Sequence, residues 1–280
     1  KLFSNKPVIL DIDDWELSSY LKKGLWSRLF KFINVANPNS FFWTWLLEYF
    51  IIYADKITTV SSFLRNKYGG EIIPHAKDTD FLDPNKMVQE KGLKASLGLI
   101  NKKIVMYIGT PREHKGIEDA LKAVLDINNP DLIMMVVGAD TGGIYEKKLK
   151  DLGTDRFLMI GHIPYKDLPK YIMLADIIII PQRKTPDSVG QIPSKLFDAM
   201  SMAKPIVTTK VSDIPEILGD CGMIVNPFSP DELSSTIKWL LDNPDKANYM
   251  GRMARERCIK YYSLNFIKVR LKQIVDGIMK

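Results

Sequence analysis

The sequence predicts an α/β protein: a C-terminal, doubly wound, parallel-sheet domain of Rossmann type, preceded by an incomplete N-terminal α/β domain. Two observations carry this. From Lys103 onward, apolar runs of three to six residues (IVMYI, LIMMVV, FLMI, IIII, PIVT, MIV) alternate with amphipathic helical stretches. Strands that are apolar throughout, rather than at every second position, belong to a parallel sheet covered on both faces. The same alternation appears before residue 80, but with too few units to close a second such domain.

Of the 280 residues, 46% are hydrophobic and 26% charged, as in an ordinary soluble globular protein. The formal net charge of +6 suits a phosphate-bearing ligand or an anionic membrane surface, and scattered solvated lysines account for it equally well. No dense Lys/Arg run is present, which speaks against nucleic acid as a partner. Cys221 and Cys258 lack metal-ligand spacing, so a reducing cytoplasm is expected. There is no signal-peptide pattern and no apolar run near twenty residues. The chain starts at Lys1 and reaches a strand within a few residues, as a fragment would.

In chain order, Pro7–Leu10 reads as a short strand running into Asp11, Asp13 and Asp14. Carboxylates at a strand's C-terminal end stand where α/β proteins do their chemistry. The DxD is open to three readings: metal binding between phosphates, a phosphatase-type nucleophile (against which Asp14 and Trp15 count), or solvated acids capping a helix. Residues 17–53 are aromatic-rich, and Leu25, Trp26, Leu29, Phe30, Phe32 and Ile33 interleave with Lys22, Lys23, Arg28 and Lys31. That pattern suits a helix lying on a membrane surface, or two helices packed within the protein. Asn37–Ser40 breaks the chain, and Phe41–Tyr53 follows as an apolar helix too short to span a bilayer. Next come a strand Lys56–Val60, a helix Phe63–Tyr68, a strand Glu71–Pro74, and a charged, Pro-containing linker over 81–102. His75 is either a site residue or a hydrogen-bonded structural histidine.

The second domain, 103–262, is expected to have strands Ile104–Ile108, Leu132–Val137, Phe157–Ile160, Ile177–Ile180, Pro205–Thr208 and Met223–Val225. Helices fall at about 116–128, 143–152, 166–174, 194–202, 213–218, 230–242 and 244–260, with a last one at 264–279. Three strand ends carry ligand-type groups. Gly109 to Gly116 offers close backbone approach plus Arg112 and Lys115 for phosphate oxygens; it is not a G-x-G-x-x-G dinucleotide fingerprint. Gly161-His162-Ile163-Pro164 is a turn suited to holding a base. Gly190 to Thr209 joins a loop, a helix start at Pro193, Lys195 in its first turn and Asp198 one turn on.

These residues carry a family resemblance. YIGTPREHKG, IGHIPYKDLPKYIMLADIIIIPQ and PSKLFDAMSMAKPIVTTKVSDIPEIL are similar, in this order, to the glycine–phosphate loop, base-binding segment and donor signature of retaining GT-B glycosyltransferases of family 4 (group 1). ADKITTVSSFLRNKYGGEIIPHAKDTDFLDP resembles the segment by which that family leaves its first domain, so the likeness covers about 54–280. It implies two Rossmann-like domains facing a cleft, with residues 1–80 a partial acceptor-side domain and 263–280 a helix crossing back to it. It also implies a nucleotide diphosphate sugar as donor, no metal or other cofactor, and a sugar or lipid-linked acceptor as in polysaccharide or glycolipid assembly.

By position, the resemblance puts Lys115 on the diphosphate and Asp198 on the ribose. The first acid of the family's E-x7-E signature falls at Gly190, and Asp187 is near but out of register. Thr110 stands where many members have Arg, with Arg112 compensating; Ser194 and Lys195 match a P-x-K subset. Ser212, Asp213, Pro215 and Glu216 match a segment read as structural. The implied catalytic set is Asp14, Arg112 and Lys115. The donor set is Gly109, Thr110, Arg112, Lys115, His162, Ile163, Gly190, Gln191, Ser194, Lys195 and Asp198. Residues 22–50 are the expected membrane contact, at the inner face of the cytoplasmic membrane. Two other functions fit the residues: a metal-dependent phosphate enzyme built on Asp11 and Asp13, and a non-catalytic nucleotide-sugar binding module.

Overall fold

The computed structural model describes residues 6–21, 37, 40–87, 91–139 and 142–279. The basic aromatic stretch 22–36 and the break at Pro38-Asn39 lie outside them.

Two parallel sheets make up the molecule. The smaller has order β1-β2-β3, from β1 (Ile9–Ile12), β2 (Lys56–Thr59) and β3 (Glu71–Ile72). Between its strands run α1 (Ser18–Leu21), α2 (Phe41–Phe50) and α3 (Ser62–Tyr68). The start of β1 corrects the expected Pro7–Leu10. Asp11 lies inside the strand, paired in register with Thr58, whose hydroxyl donates to the Asp11 carboxylate. Only Asp13 and Asp14 follow the strand end.

The larger sheet has order β6-β5-β4-β7-β8-β9, all parallel. Its strands are β4 (Lys103–Ile108), β5 (Leu132–Val137), β6 (Phe157–Ile160), β7 (Ile177–Ile180), β8 (Ile206–Thr209) and β9 (Met223–Val225). After α4 (Lys91–Ser96), which occupies part of the expected linker, the helices are α5 (Ile117–Asp126), α6 (Ile144–Gly153), α7 (Leu168–Leu174), α8 (Lys195–Ser201), α9 (Ile214–Leu218), α10 (Pro230–Asp242), α11 (Pro244–Tyr262) and α12 (Leu264–Ile278).

The strand period of two sorts β4 cleanly. Ile104, Met106 and Ile108 pack on one face with Ile178, Ile180, Leu196 and Phe197. Val105 and Tyr107 pack on the other with Ile177, Ile179, Ala120 and Val124. Each of these aliphatic side chains, fully buried, contributes about 1.5–3 kcal/mol, which is why the strands carry no polar alternation.

The first face runs on into the smaller sheet's layer, because Val60 and Leu64 join its cluster beside Ile192 and Leu196. Polar contacts seal the junction: Ser61 Oγ donates to the Gly190 carbonyl at 2.8 Å. The Asp213 carboxylate accepts from the Ser62 amide at 2.6 Å and hydroxyl at 2.5 Å. At the chain's end, Ile267 and Ile274 of α12 pack on Ile73, and Arg270 donates to the Ile72 carbonyl at 3.0 Å.

Helix α2 has no fully buried residue and leaves Trp45, Leu47, Tyr49 and Phe50 exposed, followed by exposed Ile52 and Tyr53. Among the described residues, no helix is long and apolar enough to cross a membrane.

Candidate functional site

The strand order reverses between β4 and β7: β5 and β6 lie on one side of β4, β7 to β9 on the other. Outside the C-terminal ends of these two strands is the crevice where open α/β sheets bind ligands. Here it is a cleft of about 400 Å³ lined by Asp13, Asp14, His75, Ile108, Gly109, Lys115, Gln191–Lys195 and Asp198. A larger cavity, about 880 Å³, opens at the opposite edge, among the strand starts Lys103, Ile177 and Pro205. It is lined mostly by apolar side chains and contains none of the residues singled out above, so position and chemistry both favour the smaller cleft.

Glycines let the walls come together. Gly109 has φ 108°, and a Cβ there would stand 3.0 Å from Lys195 Nζ. Gly116 has φ 70°, ends a single 3-10 turn over Glu113–Lys115, and lies so close to the Pro181 carbonyl that a Cβ would fall 1.9 Å from its oxygen. The Arg183 amide then donates to the His114 carbonyl at 2.9 Å. The loop after β4 is thus fastened to the loop after β7, and α5 starts at Ile117, one residue later than the sequence suggests.

Two ammonium groups stand at this junction. Lys195 Nζ lies 3.7 Å from the centre of the Tyr107 ring, a cation–π contact under Gly109. Lys115 Nζ donates to Gln191 Oε1 at 2.7 Å. Burial lowers both lysines from their ordinary value. Lys195, lowered furthest, is pushed further by Lys115 and pulled back by Asp198. Lys115 is pulled back chiefly by Asp14 and also by Asp187, while Arg112 pushes it down. Two half-buried neighbouring cations, neither in an ion pair among the described residues, are a poor resting arrangement and a good one for a dianion. At an effective dielectric of 20, each such contact at 4 Å is worth about 4 kcal/mol before desolvation.

Acids face them. Asp198 is 5% exposed, and its Oδ1 is 2.6 Å from Lys77 Nζ. Its carboxyl is raised, first by burial, against the lowering influence of Lys77, Lys195 and His75. Asp13 is likewise raised, first by burial; His75 opposes this, and Asp11 and Asp14 add to it. Asp13 and Asp14 come from the smaller sheet, so the cleft has one wall from each sheet.

Of the expected residues, the cleft gathers Asp14, Gly109, Lys115, Gln191, Ser194, Lys195 and Asp198. Arg112 is exposed on the rim, and Thr110 is half-buried beside Gly109. His162 and Ile163 follow β6, the outer strand, away from the cleft lining; Ile163 packs into the core layer while His162 is exposed. Gly190 is buried, and a Cβ on it would meet Phe63 at 3.2 Å and Leu64 at 3.3 Å. A side chain at that position would require Phe63 and Leu64 to shift, so Gly190 lets the loop pack closely against α3. The helix expected from Pro193 begins at Lys195 and runs for seven residues, about two turns. The DxD pair is split, with Asp11 held by Thr58 and Asp13 in the cleft. Two further groups reach the site, His75 in the cleft lining and Lys77 beside Asp198. The only signal for either was the segment that leaves the first domain, EIIPHAK.

Residues 90–257 match the profile of the family described as glycosyl transferases, group 1. The chain is 25% identical over 191 residues to an alpha-D-kanosaminyltransferase of Streptomyces kanamyceticus, covering 66% of this chain and 48% of that protein. It is 24% identical over 243 residues to a GDP-mannose-dependent alpha-(1-6)-phosphatidylinositol monomannoside mannosyltransferase of Mycolicibacterium smegmatis, covering 80% and 63%. The chain therefore spans roughly half to two-thirds of the length of these relatives. Anabaena Alr3699/HepE in complex with UDP-glucose superposes with TM-score 0.75 at 18% identity, over 97% of this chain and 72% of that one. The fold is that of the GT-B glycosyltransferases.

Proposed function

The chain belongs to the group 1 glycosyl transferases, and from that premise we propose that it moves a sugar from a nucleoside diphosphate sugar to an acceptor hydroxyl, with retention at the anomeric carbon. The observation that carries this reading is the pair of half-buried ammonium groups, Lys115 and Lys195, at the end of β4, facing Asp14 across one cleft. As the bond from the anomeric carbon to the phosphate oxygen breaks, the diphosphate leaves with the electron pair. Lys115 and Lys195 then stabilise the growing charge, already oriented and partly dehydrated. Asp198 holds the ribose hydroxyls. The acceptor oxygen bonds to the anomeric carbon from the face the diphosphate leaves, and its proton passes toward Asp14. Arg112 on the rim and His162 and Ile163 beyond it serve the donor's outer parts. Residues 1–80 and 103–262 are the two domains of this reading, with 81–102 between them.

A lipid-linked acceptor is the finer proposal. It rests on the exposed aromatic face of α2 and on the basic aromatic sequence before it. The mannosyltransferase relative's name specifies a phosphatidylinositol mannoside acceptor. Flotation with liposomes, with and without anionic lipid, tests the membrane contact; recovery at the bottom of the gradient in both cases overturns it.

Gly190 favours a second reading, a module that binds nucleotide sugars without turnover, since it places no carboxylate where the family signature carries its first acid and packs closely against Phe63 and Leu64 instead. Titration calorimetry with UDP-, GDP- and TDP-sugars, followed by product analysis, separates the two. Binding with transfer supports the enzyme, binding alone the module. No binding, or binding left intact by both Lys115→Ala and Asp198→Ala, overturns both.

A further inference from the structure

Lys77 belongs to the segment leaving the smaller sheet, and nothing in the motif pattern marks it. Its ammonium bridges two positions one turn apart around the start of α8: 2.8 Å from Ser194 Oγ and 2.6 Å from Asp198 Oδ1. The side chain is only 11% exposed. Its backbone is held on both sides by the junction of α11 and α12: the Lys77 amide donates to the Tyr262 carbonyl at 2.9 Å, and the Leu264 amide donates to the Lys77 carbonyl at 2.8 Å. The cation is therefore placed by main-chain contacts before any ligand arrives.

We propose that Lys77 is the positioning residue of the donor site, fixing the Asp198 carboxylate by one oxygen and leaving the other for the ligand's hydroxyl groups. The proposal rests on the reading of Asp198 as the ribose ligand. A buried carboxylate with no partner takes up a proton and turns from acceptor to donor. The groups facing Asp198 are Lys77 from the crossing segment, Lys195 on its own helix, His75, Tyr165 and Cys258. Lys77 is the one in direct contact, and Lys195 is itself drawn toward the neutral form by burial. Without Lys77, the Asp198 carboxyl moves further up, and binding that needs the carboxylate is lost earlier as pH falls.

The test is calorimetry of the 280-residue chain with UDP and with GDP between pH 5.5 and 8.5. The variants are Lys77→Met, Lys77→Arg, Asp198→Asn and the double variant Lys77→Met/Asp198→Asn, each checked by thermal melting. Lys77→Met is expected to weaken binding by about tenfold or more at the acid end and less at the alkaline end. Lys77→Arg keeps the cation, and the wild-type pH profile with it. The double variant binds no worse than Asp198→Asn alone, because Lys77 acts through Asp198. Binding by Lys77→Met equal to wild type at every pH, or a further loss in the double variant, overturns the role of Lys77 and leaves the donor reading standing. Wild-type binding left intact by Asp198→Asn overturns the donor-site role of Asp198 and this proposal with it. Should Lys77→Met melt early, Lys77→Arg decides: a folded Arg variant with a shifted pH profile overturns the proposal.

Discussion

Asp213 closes the junction between the two sheets by accepting both hydrogens that Ser62 offers, from its amide at 2.6 Å and its hydroxyl at 2.5 Å. Asp213 immediately precedes α9 of the larger unit, while Ser62 opens α3 of the smaller one. One carboxylate thus satisfies a free helix-start amide of the other unit. Asp213→Ala is expected to destabilise the chain by about 2–3 kcal/mol, the worth of charge-assisted bonds in a part-buried setting. Ser62→Ala should cost about 1 kcal/mol. Urea denaturation measures both; equal stability of Asp213→Ala and wild type would show that this carboxylate adds nothing to the junction.

Gly190 and Gly116 should respond differently to a side chain. At Gly190 the obstacles are the Phe63 and Leu64 side chains, which can give way. Gly190→Glu is expected to cost about 1–3 kcal/mol and to bring no gain in sugar-nucleotide affinity. At Gly116 the obstacle is the Pro181 carbonyl oxygen, 1.9 Å from an added Cβ, and the backbone is left-handed with φ 70°. Gly116→Ala should cost about 3 kcal/mol or more and abolish binding. Melting curves and calorimetry report both; a stable, binding-competent Gly116→Ala would mean the two loops are not fastened as described.

On the proposed donor reading, the lysine pair is expected to set the alkaline limb of binding. Lys115 and Lys195 are lowered below 10.5 by burial, whereas a bound diphosphate favours their charged forms. Binding therefore takes up protons as pH rises toward the lowered values, and affinity falls over that range. Asp198, raised above 3.8 by burial, gives the opposite limb: affinity falls as pH drops through its raised value. Calorimetry in buffers of different ionisation heat reads the proton uptake. Lys115→Ala and Lys195→Ala should each weaken nucleotide binding by about tenfold or more. An affinity that climbs steadily into the alkaline range contradicts the assignment.

Tyr107 offers a test with the reverse sign. Its ring lies under Lys195, yet its hydroxyl is buried with no hydrogen-bond partner among the described residues. Tyr107→Phe keeps the ring and removes the orphaned group, so stability should hold or rise by up to about 1 kcal/mol. Tyr107→Leu removes the ring and should lower both stability and donor affinity. A clear loss of stability in Tyr107→Phe would reveal a partner for the hydroxyl.

Much of the larger sheet was legible in the sequence because burial on both faces leaves a strand no polar positions. IVMYI, LIMMVV and IIII announce themselves, and all six strands fall within about a residue of expectation. The edge strand β1 lies two residues later than the sequence suggests, since an exposed edge carries a weaker apolar signal and Ile12 lies between two aspartates. The loop chemistry at Gly109, Lys115, Lys195 and Asp198 was also visible, as small and charged residues at strand ends.

By itself, then, the sequence determined the alternation of strand and helix, the parallel sheet and the charged groups at its strand ends. Only the tertiary structure decided which of those groups meet. It brought Lys77, 121 positions away from Asp198 along the chain, to 2.6 Å from it; it packed Gly190 against Phe63 and Leu64 and drew Asp11 into its strand. The reason is physical. Periodicity reports how each segment meets solvent and core, a property of neighbours along the chain. An ion pair or a steric limit depends on two distant segments sharing one place, and no local pattern encodes that.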